Sequence, residues 1–119
     1  MIQLSASSQL LIATSAQDFR KGIDGFACLC RNEFNRNPQD STIFVFINRS
    51  KTMIRLLAYD HNGYWLMTKR LSKGKFKQWP KTASPIAPLL ARELRVLLRN
   101  EVFHSIAPPN NGSKDLKKT

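Results

Sequence analysis

The chain has 119 residues, of which 42% are hydrophobic and 23% charged, as expected for one folded domain with a single modest core. Its 19 lysines and arginines outnumber 8 acidic residues, and the net charge of +11 favours a polyanionic partner such as nucleic acid. No apolar stretch approaches the roughly 20 residues of a membrane span, and the N-terminus lacks a secretory signal pattern. We therefore expect a cytoplasmic protein with no membrane partner.

Cysteine and histidine are too sparse to build a metal centre. The 2 cysteines, Cys28 and Cys30, do not form a Cys-x-x-Cys motif, and no second pair completes a zinc site. His61 and His104 each stand alone in the sequence. We expect buried free thiols, no metal and no cofactor.

A short apolar run over residues 9–13 predicts a strand, which the polar pair Thr14-Ser15 ends. Thr14 or Ser15 is also a candidate helix N-cap, with Asp18 three residues after Ser15 in the capping-box position.

From Ile23 to Phe34, apolar residues recur at spacings of three and four, which predicts a helix. Gly22 and Gly25 would each cost about 1 kcal/mol in a helix interior, so we expect a break or a fresh helix start there. The charged residues around these glycines either anchor a phosphate or a partner loop, or form caps and ion pairs that fix the chain before the helix. They are Asp18, Arg20, Lys21 and Asp24.

Residues 41–71 predict three antiparallel strands joined by short polar turns. The apolar run 43–47 is followed by the turn Asn48-Arg49-Ser50 and then by the run 53–59. A second turn follows, Asp60-His61-Asn62-Gly63, in which Asn62 and Gly63 suit the positive φ of a tight hairpin. The third run is aromatic at its start and basic at its end.

A basic segment without acidic residues follows the third strand. Phe76 and Trp79 are interleaved in it, so cations could meet phosphates while the rings stack on unpaired bases. The alternative is that both rings cap the core while the lysines are solvated. Arg49, Lys51 and Arg55 are further candidates for phosphate contacts. The basic residues in and beside this segment are Lys69, Arg70, Lys73, Lys75, Lys77 and Lys81.

A second helix is predicted from Pro88, placed in its first turn, to about Asn100. One face carries the leucines that should be buried: Leu90, Leu94, Leu97 and Leu98. The opposite face carries Arg92, Arg95 and Arg99, which form either a second nucleic-acid surface or an ordinary solvated face.

Together these elements predict an α+β fold in which a small antiparallel β-meander of three to four strands packs against a helix of the N-terminal half and a C-terminal helix. Residues 1–107 would form this single domain. Residues 108–119 predict a disordered basic tail.

The chain also resembles a known family in an ordered set of short motifs. Asp18-Phe19-Arg20-Lys21-Gly22-Ile23-Asp24-Gly25 is followed by Phe44-Val45-Phe46, Asn48-Arg49 and Ile54-Arg55-Leu56-Leu57, then by Asp60, Gly63, Lys69-Arg70-Leu71, Gly74, Phe76 and Trp79-Pro80. This order resembles the small accessory protein, often called TnpB, from the second reading frame of the insertion-sequence-sixty-six family of bacterial transposable elements. The chain departs from the family pattern at Ala58-Tyr59, where two tryptophans are common, and at Ser72, where an acid is common.

The resemblance implies a protein that assists transposition beside a separate, larger transposase. Its residues Asp18, Arg20, Lys21, Gly22, Asp24, Gly25, Asp60 and Gly63 stand at family-motif positions. The resemblance supplies no mechanism.

Three functions compete at this point. The first is a non-catalytic accessory factor that binds nucleic acid, DNA above all, through the basic segment and the meander. The second is a module that docks on the element's transposase, shaped by the turns around Gly22, Gly25 and Gly63. The third, a metal-dependent nuclease or strand transferase, lacks a recognisable spacing of carboxylates, so we expect no enzyme.

Overall fold

The structure is a computed structural model that describes residues 9–101. Within this range the chain forms a five-stranded sheet and two helices, which confirms the predicted α+β class. The elements are β1 (Leu10–Ala13), α1 (Ile23–Asn32), β2 (Ile43–Ile47), β3 (Met53–Asp60), β4 (Gly63–Arg70), β5 (Ile86–Leu89) and α2 (Ala91–Arg99).

The sheet has the strand order β4-β3-β2-β1-β5. Strands β2, β3 and β4 are antiparallel neighbours and form the predicted meander. Strand β1 pairs in parallel with β2, because α1 forms the crossover that parallel neighbours require. Strand β5 adds an antiparallel edge beside β1. The sheet is therefore mixed and has more strands than the sequence predicted.

Each face of the sheet is covered by one helix. On one face, Phe26 and Cys30 of α1 pack against Leu11, Phe44 and Phe46. On the opposite face, the leucines of α2 pack against alternate residues of the same strands, including Leu10, Val45 and Ile54, because successive strand side chains point to opposite faces. The central strand β2 is buried along its whole length.

Helix α1 begins at Ile23, as predicted, and Gly22 occupies its N-cap position. The prediction of an N-cap at Thr14 or Ser15 is wrong, because this pair directly follows β1 and no helix in the described range begins before Ile23. The Thr14 hydroxyl donates a hydrogen bond to the carbonyl of Ser84 at 2.7 Å, and the Thr14 N–H bonds the carbonyl of Pro85 at 3.0 Å. These bonds extend the β1–β5 pairing instead of starting a helix.

The second helix starts later than predicted, at Ala91. Pro88 lies in β5 opposite Leu11, where proline is tolerated because an edge strand has one side without ladder hydrogen bonds. Leu94 and Leu97 are buried, as expected from the leucine stripe, but Leu90 precedes the helix and is 49% exposed. The carboxylate of Glu93 accepts a hydrogen bond at 2.8 Å from the backbone N–H of Leu90, the N-cap residue of α2.

Three predictions lie outside the described residues. These are the domain boundary at residue 107, the disordered tail over residues 108–119 and the isolated position of His104.

Candidate nucleic-acid interface

The basic segment, residues 71–80, crosses the α2 side of the sheet without helix or strand structure. Its first residue, Leu71, donates a backbone hydrogen bond to Thr52 at 3.0 Å, and Phe76 donates one to the carbonyl of Lys51 at 2.8 Å. The indole N–H of Trp79 donates to the carbonyl of Ala13 at 2.8 Å. These bonds fix an irregular segment against two separate parts of the sheet.

The two aromatic side chains of this segment pack in or against the hydrophobic core on the α2 side of the sheet. Phe76 is 4% exposed and belongs to the core cluster that contains Leu94 and Leu97. The prediction that Phe76 stacks on a base is wrong, because no base could reach the ring without unpacking the core. Trp79 is half-buried against the same cluster. Its position fits the structural alternative considered above, and base stacking by Trp79 stays a prediction.

Asn100 joins the basic segment to the end of α2. It adopts a left-handed backbone with φ of 59°, a common way to end a helix. Its side-chain oxygen accepts a hydrogen bond from the Lys77 N–H at 2.8 Å, and its amide donates to the Lys75 carbonyl at 3.0 Å. Nearby, the Lys69 ammonium donates to the Leu98 carbonyl at 2.6 Å, where a cation complements the helix C-terminus.

These bonds bring cations from four parts of the chain to one place: the β2–β3 turn, the end of β4, the basic segment and the last turn of α2. All of them are exposed. Within residues 9–101 the only ion pair is between Asp18 and Arg20, so none of these cations is neutralised by a described carboxylate. We call this set the basic junction: Lys51, Lys69, Lys73, Lys75, Lys77 and Arg99. Arg70, the last residue of β4, is also exposed but lies on the α1 side of the sheet.

The remaining predicted cations lie around this junction or apart from it. Arg49 is exposed in the β2–β3 turn, two residues before Lys51. Lys81 is exposed just after the basic segment, and Arg92 and Arg95 are exposed along α2. Of the three arginines of α2, Arg99 lies next to the basic segment, since its neighbours Leu98 and Asn100 bond Lys69, Lys75 and Lys77.

The β2–β3 turn is held by Asn48, which is only 7% exposed. Its side-chain oxygen accepts hydrogen bonds from the N–H groups of Thr52 and Met53 at 2.9 and 3.0 Å. Its amide donates to the hydroxyls of Ser50 and Thr52. Within this turn Lys51 has a left-handed φ of 63° and is exposed.

Arg55 has a structural position. Its guanidinium donates to the carbonyls of Phe19 and Lys21 at 2.7 and 3.2 Å and to the Thr68 hydroxyl at 2.8 Å. It also lies over the Phe19 ring, 4.7 Å from the ring centre. This engagement favours a role in tying the segment before α1 to the sheet over the predicted phosphate contact.

The segment before α1 forms its own ion pair. The Arg20 guanidinium binds the Asp18 carboxylate through two nitrogens, with a closest distance of 2.7 Å, and the Arg20 N–H bonds the same carboxylate at 2.9 Å. These hydrogen bonds hold the pKa of Asp18 well below its usual range. The geometry fits the alternative of caps and ion pairs more closely than an anchored phosphate.

The glycine positions of this segment have different roles. Gly22 caps α1 through its backbone, since the Phe26 N–H bonds the Gly22 carbonyl at 3.0 Å. Gly25 allows close packing, because a Cβ there would lie 3.0 Å from the Cβ of Lys21. Asp24 lies exposed in the first turn of α1, where a negative charge complements the helix dipole.

The β3–β4 hairpin places Asp60 opposite Gly63. The Asp60 carboxylate accepts a hydrogen bond from the Trp65 indole N–H at 3.0 Å, which gives this acid a structural partner. The positive φ of the turn lies at His61, with a value of 51°, whereas the sequence placed it at Asn62 or Gly63. Histidine is among the residues that enter this backbone region more readily than most.

An open groove of about 480 Å³ lies between the segment before α1 and the β2–β3 turn. Asp18, Phe19 and Arg20 line one side, and Asn48, Arg49 and Ser50 line the other. A parallel bridge between Gln17 and Asn48 holds the two sides together. No local sequence pattern predicted this groove, because its sides are 28 residues or more apart along the chain.

The described residues contain no group of three or more histidine, cysteine or acidic side chains that could hold a metal ion. Cys30 is buried, as predicted, and burial raises the pKa of its thiol to about 12. The prediction of a buried thiol is wrong for Cys28, which is exposed on the outer side of α1 and accepts a hydrogen bond from Asn32 at 3.0 Å. Over residues 9–101, no helix has the length and apolar character needed to cross a membrane.

Comparison with known proteins identifies the family. A family model described as IS66 Orf2-like protein matches residues 8–105. An uncharacterized protein, y4hO, of Sinorhizobium fredii (strain NBRC 101917 / NGR234) is 31% identical over 98 residues, which cover 82% of this chain and 84% of the relative. A second uncharacterized protein of that strain, y4jC, is 34% identical over 76 residues, 64% of this chain and 65% of the relative.

No solved structure matches the chain. The family match extends over the sheet, both helices and the basic junction. The protein therefore belongs to the IS66 Orf2-like family and has an accessory role in an insertion sequence.

Proposed function

We propose that the protein is a non-catalytic accessory factor of transposition that binds nucleic acid, DNA above all, through the basic junction. One observation carries the proposal. Six exposed cations gather where the β2–β3 turn, the end of β4, the basic segment and the last turn of α2 meet, and within the described residues none of them is in an ion pair. Such a group of like charges repels itself until an anionic partner arrives.

The chemistry of the junction suits phosphates better than base edges. Lysine supplies point charges on flexible stems, and phosphate contacts of this kind position a protein on nucleic acid without reading its sequence. Five of the six cations are lysines. We therefore expect similar affinity for element-end DNA and for unrelated DNA of the same length.

The proposal is tested by removing equal charge from two faces of the molecule. Lys75→Gln/Lys77→Gln removes two cations from the junction, whereas Arg31→Gln/Arg36→Gln removes two exposed arginines next to or within α1, on the opposite face of the sheet. Duplex binding is measured by fluorescence anisotropy across salt concentrations. The junction variant should reduce the slope of log K against log salt by about 1.8, and the α1 variant should leave it close to the wild-type value. Equal reductions in both would contradict a localised interface.

A second candidate function is docking on the element's transposase. The groove between the segment before α1 and the β2–β3 turn favours it, since family-motif residues Asp18 and Arg20 line that groove. Arg49→Glu would reverse a charge at the groove. Recovery of the transposase in a pull-down after nuclease treatment, lost in Arg49→Glu but kept in Lys75→Gln/Lys77→Gln, would support docking at this groove. Recovery that disappears with nuclease treatment would leave nucleic acid as the link.

A further inference from the structure

The two edges of the sheet differ in how they are protected. Strand β5 has four residues and contains Pro88, which prevents regular pairing with another strand. Strand β4 has eight residues, contains no proline, and pairs with β3 in an uninterrupted register from Gly63 to Arg70. Within residues 9–101 nothing pairs with its outer side. Long, regular edges of this kind are templates for strand addition.

The hairpin geometry determines which backbone groups of β4 point outward. Asp60 and Gly63 flank a two-residue turn, so they form a hydrogen-bonded pair, and hydrogen-bonded pairs recur at every second residue. The bond from the Leu71 N–H to Thr52 follows the same alternation. The N–H and C=O groups of Tyr64, Leu66, Thr68 and Arg70 therefore point away from β3.

The side chains of β4 are also arranged unevenly along its length. Trp65, at the start, is 41% exposed and Tyr64 is next to it, whereas Lys69 and Arg70 lie at the end. Trp65, Met67 and Lys69 share the α2 side of the sheet, and Tyr64, Leu66 and Arg70 share the α1 side, because side chains alternate. Aromatic rings thus occupy one end of the edge and cations the other.

We propose that β4 pairs with β4 of a second copy of this chain, antiparallel, about a two-fold axis that passes through Met67. A two-fold axis perpendicular to the sheet brings the α2 sides of both sheets to the same side. The side chains of two paired residues must therefore lie on the same face, and the backbone groups of both must point either toward or away from their own β3. The axis at Met67 pairs Tyr64 with the partner's Arg70 and Leu66 with the partner's Thr68. Every outward-pointing residue of β4 then gains a hydrogen-bonded neighbour.

This register also pairs the side chains of the two strands favourably. Trp65 lies opposite the partner's Lys69, and Tyr64 lies opposite the partner's Arg70, so each aromatic ring meets a cation or its stem. An axis at Leu66 would instead place Arg70 against the partner's turn residue Asn62 and would leave fewer hydrogen-bonded pairs. Because a reversed copy of β4 places aromatic rings opposite cations at both ends, a second copy is the partner that fits.

The net charge of the chain opposes dimerisation, so the dimer should respond to salt in a characteristic way. Two chains of +11 repel each other, so added salt should strengthen the dimer by screening. Salt has the opposite effect on nucleic-acid binding. The two activities can therefore be separated in one set of salt titrations.

Cysteine cross-linking tests the register directly, in a Cys28→Ser background that removes the exposed native thiol. In the proposed register residue 67 faces itself in a non-hydrogen-bonded pair, with a Cα separation of about 4.5 Å that allows a disulfide. Residue 65 of each copy would be about 13 Å from residue 65 of the other. Met67→Cys should cross-link on oxidation, and Trp65→Cys or Lys69→Cys alone should not. A mixture of the last two should cross-link.

Sedimentation of the unmodified chain completes the test. We expect a dimer at protein concentrations of about 100 μM in about 0.5 M salt, where repulsion is screened. Met67→Lys, which places like charges on the axis, should dissociate it, and Met67→Leu should not. A chain that stays monomeric under these conditions would overturn the proposal. So would a dimer in which folded Met67→Cys fails to cross-link.

Discussion

Two regions of this molecule are rich in basic residues, and the fold treats them in opposite ways. Before α1, Arg20 is paired with Asp18, and Arg55 reaches from β3 to bond the carbonyls of Phe19 and Lys21. At the basic junction, Lys69 bonds one helix carbonyl, and the described structure gives the junction cations no carboxylate partner. In the first region the charged groups bond other groups of the same fold. In the second region the cations are available to bind a partner.

The difference shows what decides the role of a basic side chain. A guanidinium with several fixed acceptors within reach contributes to stability, because removing it would leave buried acceptors without donors. An exposed lysine without a partner contributes little to stability, and its charge is available to phosphates. Substitutions in the first region should therefore affect unfolding, and those in the second should affect binding.

The largest expected effect on stability is that of Arg55→Met. The substitution keeps the long stem but leaves the carbonyls of Phe19 and Lys21 without their side-chain donor, and we expect a loss of about 2–3 kcal/mol. Urea unfolding measures it. The matched control is Arg49→Met, an exposed arginine with no described side-chain partner, which should change stability by no more than about 0.5 kcal/mol. Equal effects would remove the contrast between the two regions.

The next effect is that of Asn100→Ala, which tests whether the basic segment is held by α2. Ala removes both side-chain bonds to residues 75 and 77 and fits the left-handed backbone poorly, so we expect a loss of about 1–2 kcal/mol. Asn100→Gly keeps the backbone freedom and loses only the bonds. If Gly restores full stability, the side-chain bonds do not hold the segment.

The smallest effect concerns pH and the Asp18–Arg20 pair. Because the folded pKa of Asp18 is lowered, its contribution to stability is present above the unfolded pKa of about 3.9 and is lost as pH falls towards the folded value. Asp18→Asn should therefore be slightly less stable than the wild type at pH 7. The difference should shrink below about pH 4 in urea unfolding. A difference that grows on acidification would mean that the pair does not stabilise the fold.

Much of the fold could be predicted from local patterns. The alternating runs gave the meander, and the spacing of apolar residues from Ile23 to Phe34 gave α1 with its start at the glycines. The predicted start of α2 at Pro88 was wrong, because proline is compatible both with the first turn of a helix and with an edge strand, and Pro88 lies in β5. Only the pairing with β1, more than 70 residues away, distinguishes the two.

The candidate site was predicted in part. The run of cations after β4 was visible, but the roles of Phe76 and Arg55 depend on contacts that no local pattern reports. Asn100 was missed, although an asparagine at the end of a helical pattern is a common C-cap and could have been noted. Its two bonds to the basic segment could not, since they join residues 23 and 25 positions apart.

The most direct test of the account is the salt dependence of duplex binding by the unaltered protein. If five or six phosphates are neutralised at the basic junction, log K should fall against log salt with a slope of about −5. Binding that is unaffected by salt up to about 0.3 M would contradict the proposal that unpaired cations at the basic junction receive the nucleic acid.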